Sequence, residues 1–297
     1  MSQGDQVQVR FFLPPADLLR YFTTFYYMEF NGEPGTSVTD HLHPEWANLR
    51  FFSGNVPDSR TLDGARLTDA SFCATGPSSK SLCFTIAPPT RMWGVGLLPL
   101  GWARFVREDA MPLADRMANG ADHPAFASFI PLAESIFDGP PDIEAEYDRI
   151  ARYFGNRSDG PVIDEARIVA LHAALVDPEV KTVTQLVERA GCSQRTLERI
   201  SHRAFGFSPK LLLRRQRFLR SLAHYVTSPS AKWIGSLDGQ YHDQAQFVRD
   251  FRSFMGMTPR EYAALDKPIL GGFMQSRAQF SGLPVQALDR PEGGGHA

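Results

Sequence analysis

Long apolar runs, paired cysteines and catalytic signatures are all scarce in this sequence of 297 residues. No apolar stretch approaches the roughly 18 residues that a membrane helix needs, so no membrane span is expected. Three cysteines, Cys73, Cys83 and Cys192, cannot close an even disulfide framework. They fit a reduced, cytoplasmic protein in which Cys73 and Cys83 are buried free thiols, with a redox or metal pair as the alternative. Residues 1–10 are polar, so no signal peptide is expected. No G-x-S-x-G, HExxH or P-loop pattern occurs, so no catalytic set, reaction or cofactor is expected. Net charge is small as well, -2, which argues against a nucleic-acid partner until the chain is divided.

Division changes that reading. Residues 1–159 carry 13 basic and 20 acidic side chains, whereas residues 160–265 carry 15 and 10. Within 193–220 there are 8 basic residues against Glu198 alone. Such asymmetry suits a nucleic-acid module joined to something else.

The basic region coincides with a repeated pattern. Val183, Leu186, Val187 and Ala190 recur at helical spacing. Gly191-Cys192-Ser193 breaks that helix, and Ser193 is placed to cap the next. There Leu197, Ile200 and Ala204 share an inward face, with Arg195, Glu198, Arg199 and His202 on the others. A second unit begins with Trp233, Ile234 and Leu237, turns through residues 238–242 and is capped by Asp243. Phe247, Phe251 and Phe254 then point inward, and Gln246, Arg249 and Ser253 lie on another face. The two caps are 50 residues apart, a duplicated helix-turn-helix rather than a solenoid period. Between the units, Pro209 to Val226 forms one long connecting helix with Pro at its first turn.

These residues resemble the DNA-binding domain of AraC/XylS-type bacterial transcription regulators. The likeness is carried by A-G-C-S-Q-R-T-L-E-R at Ala190 to Arg199, F-G-F-S-P-K-L-L-L-R-R-Q-R-F at Phe205 to Phe218, and Y-H-D-Q-A-Q-F-V-R-D-F-R at Tyr241 to Arg252. It closes with G-M-T-P-R-E-Y at Gly256 to Tyr262. It departs from the family pattern at Gln240, where a turn Gly is usual, and at Gln246, where a His is usual. The resemblance implies base contacts from Gln194, Arg195, Glu198 and Arg199 in the first unit and from Gln244, Gln246 and Arg249 in the second. Arg suits guanine, Gln adenine, and Glu can accept from cytosine. Phosphate contacts are expected from Ser193, Arg203, Asp243 and Arg252, and from Arg214 and Arg215 on the connecting helix, where Arg217 and Arg220 are further candidates. Implied partners are double-stranded promoter DNA, a small-molecule effector, a second copy in a homodimer and, for an activator, RNA polymerase. A second unit that no longer reads bases, leaving a pure interaction protein, is the alternative that Gln240 and Gln246 keep open.

The N-terminal half reads as mostly strands. Val7 to Leu13, Phe25 to Phe30, Asn48 to Phe52, Ala70 to Thr75, Leu82 to Ala87 and Arg91 to Leu98 are candidates, with a short helix at Ala16 to Phe25. Val95 to Phe105 resembles an N-terminal module common in the same family. Phe126 to Phe137 and Ile143 to Phe154 read as amphipathic helices that either cover the sheet or carry a dimer contact. The aromatic set Phe11, Phe12, Tyr26, Phe30, Trp46 and Trp93 reads as core, with a ligand cage as the alternative. His41 and His43 stand one residue apart, as in part of a cupin metal signature. The acidic ligand that signature needs further on is missing, Glu45 coming too early, so a polar loop entering a strand is preferred and no metal is expected.

The expected fold class is therefore α+β: a β-rich, cupin-like barrel or sandwich with sensor and dimer roles over 1–155, a linker at 156–162, an all-α domain with two helix-turn-helix units over 163–265, and a loose tail over 266–297. The functional expectation is a sequence-specific transcription regulator under effector control. A cupin-type metal enzyme with an appended DNA-binding domain is the alternative.

Overall fold

The computed structural model describes residues 7–33, 35–227, 238–239, 241 and 243–291. The described residues hold ten strands, nine of them before the first helix: β1 Val7–Phe12, β2 Phe22–Phe30, β3 Val38–Leu42, β4 Ala47–Gly54, β5 Asp58–Thr61, β6 Arg66–Leu67, β7 Phe72–Thr75, β8 Leu82–Ile86, β9 Thr90–Leu97 and, further on, β10 Met117–Asn119. They form a six-stranded sheet in the order β1-β2-β9-β4-β7-β10 and a four-stranded sheet in the order β3-β8-β5-β6, with every pair of neighbours antiparallel. The N-terminal half is thus β-rich and the C-terminal half helical, as the sequence implied.

Alternation along β2 explains its place at the heart of the domain. Phe22, Phe25 and Tyr27 join the large apolar cluster on the helix-covered side. Tyr26, Met28 and Phe30 join a second cluster between the sheets. A strand buried on both faces reads as one continuous apolar run rather than an alternating one. The helix expected at Ala16 to Phe25 from the apolar Leu18, Leu19 and Phe22 is not formed: the structure has turns and then a strand from Phe22, with Leu18 and Phe22 buried in the core instead.

Helices cover the six-stranded sheet. They are the short α1 Pro99–Gly101, which runs into a π-helical turn at Trp102–Val106, then α2 Ile130–Ser135 and α3 Ile143–Gly155. Phe126 to Phe137 is not one helix: a 3-10 stretch, Pro124–Phe129, precedes α2. Asp142 caps α3 by accepting from the Glu144 and Ala145 amides. Buried Glu146 ties α3 to β9 through Arg91 and the Trp93 indole. Phe129, Ile150 and Phe154 are buried, so these helices cover the sheet.

The C-terminal half contains α4 Glu165–Val176, α5 Val183–Ala190, α6 Gln194–Phe205, α7 Pro209–Thr227, α8 Gln244–Met255, α9 Pro259–Ala264 and α10 Leu270–Ser281. Trp233, Ile234 and Leu237, expected to open the second unit, and Gln240 and His242 in its turn, lie outside the described residues. The segment at 156–162 is pinned rather than loose, because Arg104 donates to the Arg157 and Gly160 carbonyls. One apolar cluster runs through both halves, from Leu18 to Leu288. No helix among the described residues is long and apolar enough to cross a membrane.

The tail expected to be loose is ordered over 266–291. Helix α10 and a 3-10 turn at Gln286–Leu288 pack on the β domain. Asp40, fully buried, accepts from the Ile269 and Leu270 amides at 2.9 and 2.7 Å. Gln286 bridges Asn48 and Thr23 at 2.9 and 2.7 Å. Gly271-Gly272 within α10 hid this helix from a reading based on periodicity.

Candidate nucleic-acid interface

The first unit is built from local signals that the sequence states openly. Thr182 and Gln185 form a capping box at the start of α5. Gly191 ends α5 at φ 58°, a left-handed conformation that glycine adopts without strain. Ser193 Oγ then accepts from the Thr196 amide at 3.2 Å and starts α6. Leu197, Ile200, Ala204 and Phe205 are buried, while Ser193, Gln194, Arg195, Arg199 and Arg203 are exposed and Glu198 is half-buried. The expected base-reading side chains therefore share the solvent-facing side of one helix.

The second unit repeats the design at α8. Asp243 Oδ1 accepts from the Gln246 amide at 2.6 Å. Phe247, Phe251 and Phe254 are buried, Gln244, Arg249 and Arg252 are exposed, and Gln246 is half-buried. Both helices end at a glycine with positive φ, Gly206 and Gly256. Between the units, α7 has 19 residues and is about 28 Å long at 1.5 Å per residue. That length suits two recognition helices set near one DNA turn, roughly 34 Å, apart.

The β domain holds both recognition helices by their C-terminal carbonyls. The Ala110 amide donates to Arg203 O at 2.9 Å, and the Ser81 amide donates to Phe254 O at 2.7 Å. The first turns of α6 and α8, where base contacts are expected, stay exposed.

Two expected phosphate contacts need correction. Arg215 is fully buried, with its guanidinium over the Trp46 ring at 4.1 Å and donating to Ser78 O at 2.8 Å. Burial draws its pKa down to about 9, against a weaker upward pull from Asp115. It is a strut between the halves, out of reach of a phosphate. Arg214 is half-buried, lies over the Phe254 ring and donates to Asp250. Arg217 donates to the same carboxylate, and Arg220 to Asp238. On α6, Arg199 also has a protein partner, Asp164, at 2.8 Å. Burial would raise the Asp164 carboxyl, yet hydrogen bonds from Arg199 and Arg167 leave it below its ordinary value.

Asp250 went unnoticed in the sequence. It is buried and receives Arg214, Arg217 and the Tyr241 hydroxyl. Its signal was present: a carboxylate at an inward position, one turn from Phe247 and Phe254. Arg215 carries the same signal, set between Leu212 and Leu219.

The two histidines have different surroundings. The buried His43 Nε2 is 2.7 Å from the Tyr262 hydroxyl of α9, and β3 ends at Leu42 before reaching it. Burial, aided by the nearby Lys267 and His41, takes its pKa down to about 3, so the ring is neutral. His172 on α4 is likewise buried, with its pKa near 3 for the same first reason and with Arg215 also pushing it down. Cys73 and Cys83 are free thiols, but only Cys73 is buried as expected; Cys83 is half-buried.

Part of the chain matches a known family. Residues 186–264 match the family model described as a helix-turn-helix domain. No curated protein matches the chain. Among solved structures, ToxT from Vibrio cholerae O395 is similar at 11% identity over 87% of this chain and 97% of that one, with a TM-score of 0.44. The same protein bound to (E)-4-(8-methylnaphthalen-1-yl)but-3-enoic acid gives 10%, 87%, 98% and 0.42. The AraC-like transcriptional activator CuxR gives 13%, 74%, 88% and 0.30. The capped, glycine-terminated helices and the matched family model together show that residues 186–264 of this chain form a helix-turn-helix domain.

Proposed function

We propose that this chain is a sequence-specific transcription regulator that binds promoter DNA through α6 and α8, under the control of a small effector held by the β domain. The observation that carries the reading is the repeated arrangement at both ends of α7: a side-chain-capped recognition helix whose polar first turn faces solvent. Gln194, Arg195 and Glu198 read bases in the first unit, and Gln244, Gln246 and Arg249 in the second. Arg199 joins them when DNA draws it from Asp164. Ser193, Arg203, Asp243 and Arg252 meet the backbone. The division into 1–155, a linker at 156–162 and a DNA-binding domain at 163–265 belongs to the same proposal.

The test is selection of bound duplexes from a random pool with the full chain. A recurring sequence with two half-sites about one helical turn apart is expected. Retention of duplexes with no enriched sequence would overturn the reading.

A further inference from the structure

A cavity of about 130 Å3 lies between the two sheets. Most of its wall is apolar, with Met28, Phe52, Phe84 and Met92 contributed by strands of both sheets. Ile269, Leu270, Phe273 and Met274 complete it, and they belong to the C-terminal segment rather than to the β domain. The Phe273 ring stands edge-on to Phe11 at 5.8 Å and to Tyr26 at 5.4 Å. Gly272, Gln275 and Gln279 on the same helix face solvent.

The strand walls cannot part cheaply, because each strand is held by a ladder of backbone hydrogen bonds. The C-terminal wall is held by side chains: Asp40 on the Ile269 and Leu270 amides, Gln286 on Asn48 and Thr23, and the aromatic contacts of Phe273. It is the side that can swing away with the sheets intact.

Charge limits what can enter. Arg50 is buried and paired with Glu45, while also donating to Thr75 Oγ1 at 3.3 Å. Arg277 is paired with the buried Asp289. His43 is neutral, and burial pushes the Cys73 thiol up to about 11, so it too carries no charge. Each cation on the wall thus has its counter-ion inside the protein. A ligand carboxylate would either stay unpaired in a mostly apolar site or displace Glu45 into one, and an unpaired buried charge is strongly disfavoured. Size limits entry too, since an apolar cavity of roughly 150 Å3 accommodates benzene.

We propose that residues 266–291 form the removable wall of this cavity, and that the ligand admitted behind it is an uncharged molecule about one aromatic ring in size with a single hydrogen-bonding group directed at Arg50 and Glu45. This rests on the reading of the chain as effector-controlled. The wall is also wired to the DNA-binding half. It continues directly from α9, where Tyr262 meets His43, and Gln216 of α7 donates to Ala287 O at 2.8 Å. Displacing the wall therefore alters the support under α7 and α9 together.

Titration calorimetry of the full chain at pH 7 tests this with phenol, benzoate and 1-naphthol. Phenol is expected to saturate at one per chain, with benzoate and 1-naphthol each at least about tenfold weaker, as the charge and volume limits require. Phe273→Ala enlarges the cavity from the segment's side and should strengthen 1-naphthol binding by about tenfold. Ser59→Phe, which fills the cavity from β5, should abolish phenol binding. Benzoate binding as tightly as phenol would overturn the ligand class, and 1-naphthol indifferent to Phe273→Ala would overturn the wall. Selection of duplexes by the same samples separates the two readings. A protein that enriches a DNA sequence yet takes up no phenol refutes this proposal alone, and one that binds phenol but enriches no sequence refutes the proposed function alone.

Discussion

The two helix-turn-helix units share a plan and differ in where their charges go. Each recognition helix has a side-chain cap, an apolar inner face, a terminal glycine and a last-turn carbonyl held by the β domain. In the first unit the acidic partner, Asp164, pairs with Arg167 and Arg199, whose side chains are half exposed. In the second, Asp250 lies on the inner face of α8 and gathers Arg214, Arg217 and Tyr241 from around it. One carboxylate steers a surface arginine, whereas the other fastens α8 to the connecting helix. A basic run in a sequence therefore does not translate directly into a DNA-binding surface: on α7 it is largely spent inside the protein.

The largest expected effect breaks this difference at its two acids. Asp250→Asn leaves two arginines without their counter-charge in a mostly buried site and should cost about 3 kcal/mol in denaturant unfolding. Asp164→Asn disturbs only half-exposed pairs and should cost less than about 1 kcal/mol. Equal losses would show that the second network is no more buried in its energetics than the first.

Next is pH. The buried rings of His43 and His172 titrate near pH 3 in the fold, against about 6.5 in an unfolded chain. Above pH 6.5 neither state holds the extra proton and the stability they contribute is complete. Below it the unfolded chain takes up protons that the fold refuses, so stability falls by up to about 1.4 kcal/mol per pH unit for each ring until the folded pKa is passed. His172→Phe should remove about half of that slope between pH 6 and 4. An unchanged slope would assign acid sensitivity to other groups.

A smaller effect sharpens the contrast between buried and exposed arginines. Arg203→Ala should make the salt dependence of DNA binding shallower by about one unit, as expected for one lost phosphate contact. Arg215→Met should leave that slope unchanged, because the side chain it replaces lies against Trp46. A shallower slope for Arg215→Met would place this arginine on the DNA.

Local chemistry was legible in the sequence, and long-range packing was not. The caps Ser193 and Asp243, the turn at Gly191, the span of α8 and the split into β-rich and helical halves follow from neighbours a few residues apart. Periodicity puts Arg215 on the inward face of α7, but its partners there, Trp46 and Ser78, are far away in the chain and no local pattern names them. The C-terminal segment was missed for a related reason. Its Gly271-Gly272 pair reads as a breaker, and its order comes from Asp40, Asn48 and Thr23, more than 200 residues earlier in the chain. Strand β2 was legible from Phe25 to Phe30, and only its start at Phe22 was taken for the end of a helix.

The central claim is that both recognition helices read bases. The direct measurement is the affinity of Arg195→Ala and Arg249→Ala for a panel of single-base variants of the selected site. Each should lose roughly 1–3 kcal/mol of discrimination at one or two base pairs of its own, with the two sets about one helical turn apart. If either substitution weakens every variant by the same factor, that helix contacts DNA without reading it, and the account is wrong for that unit.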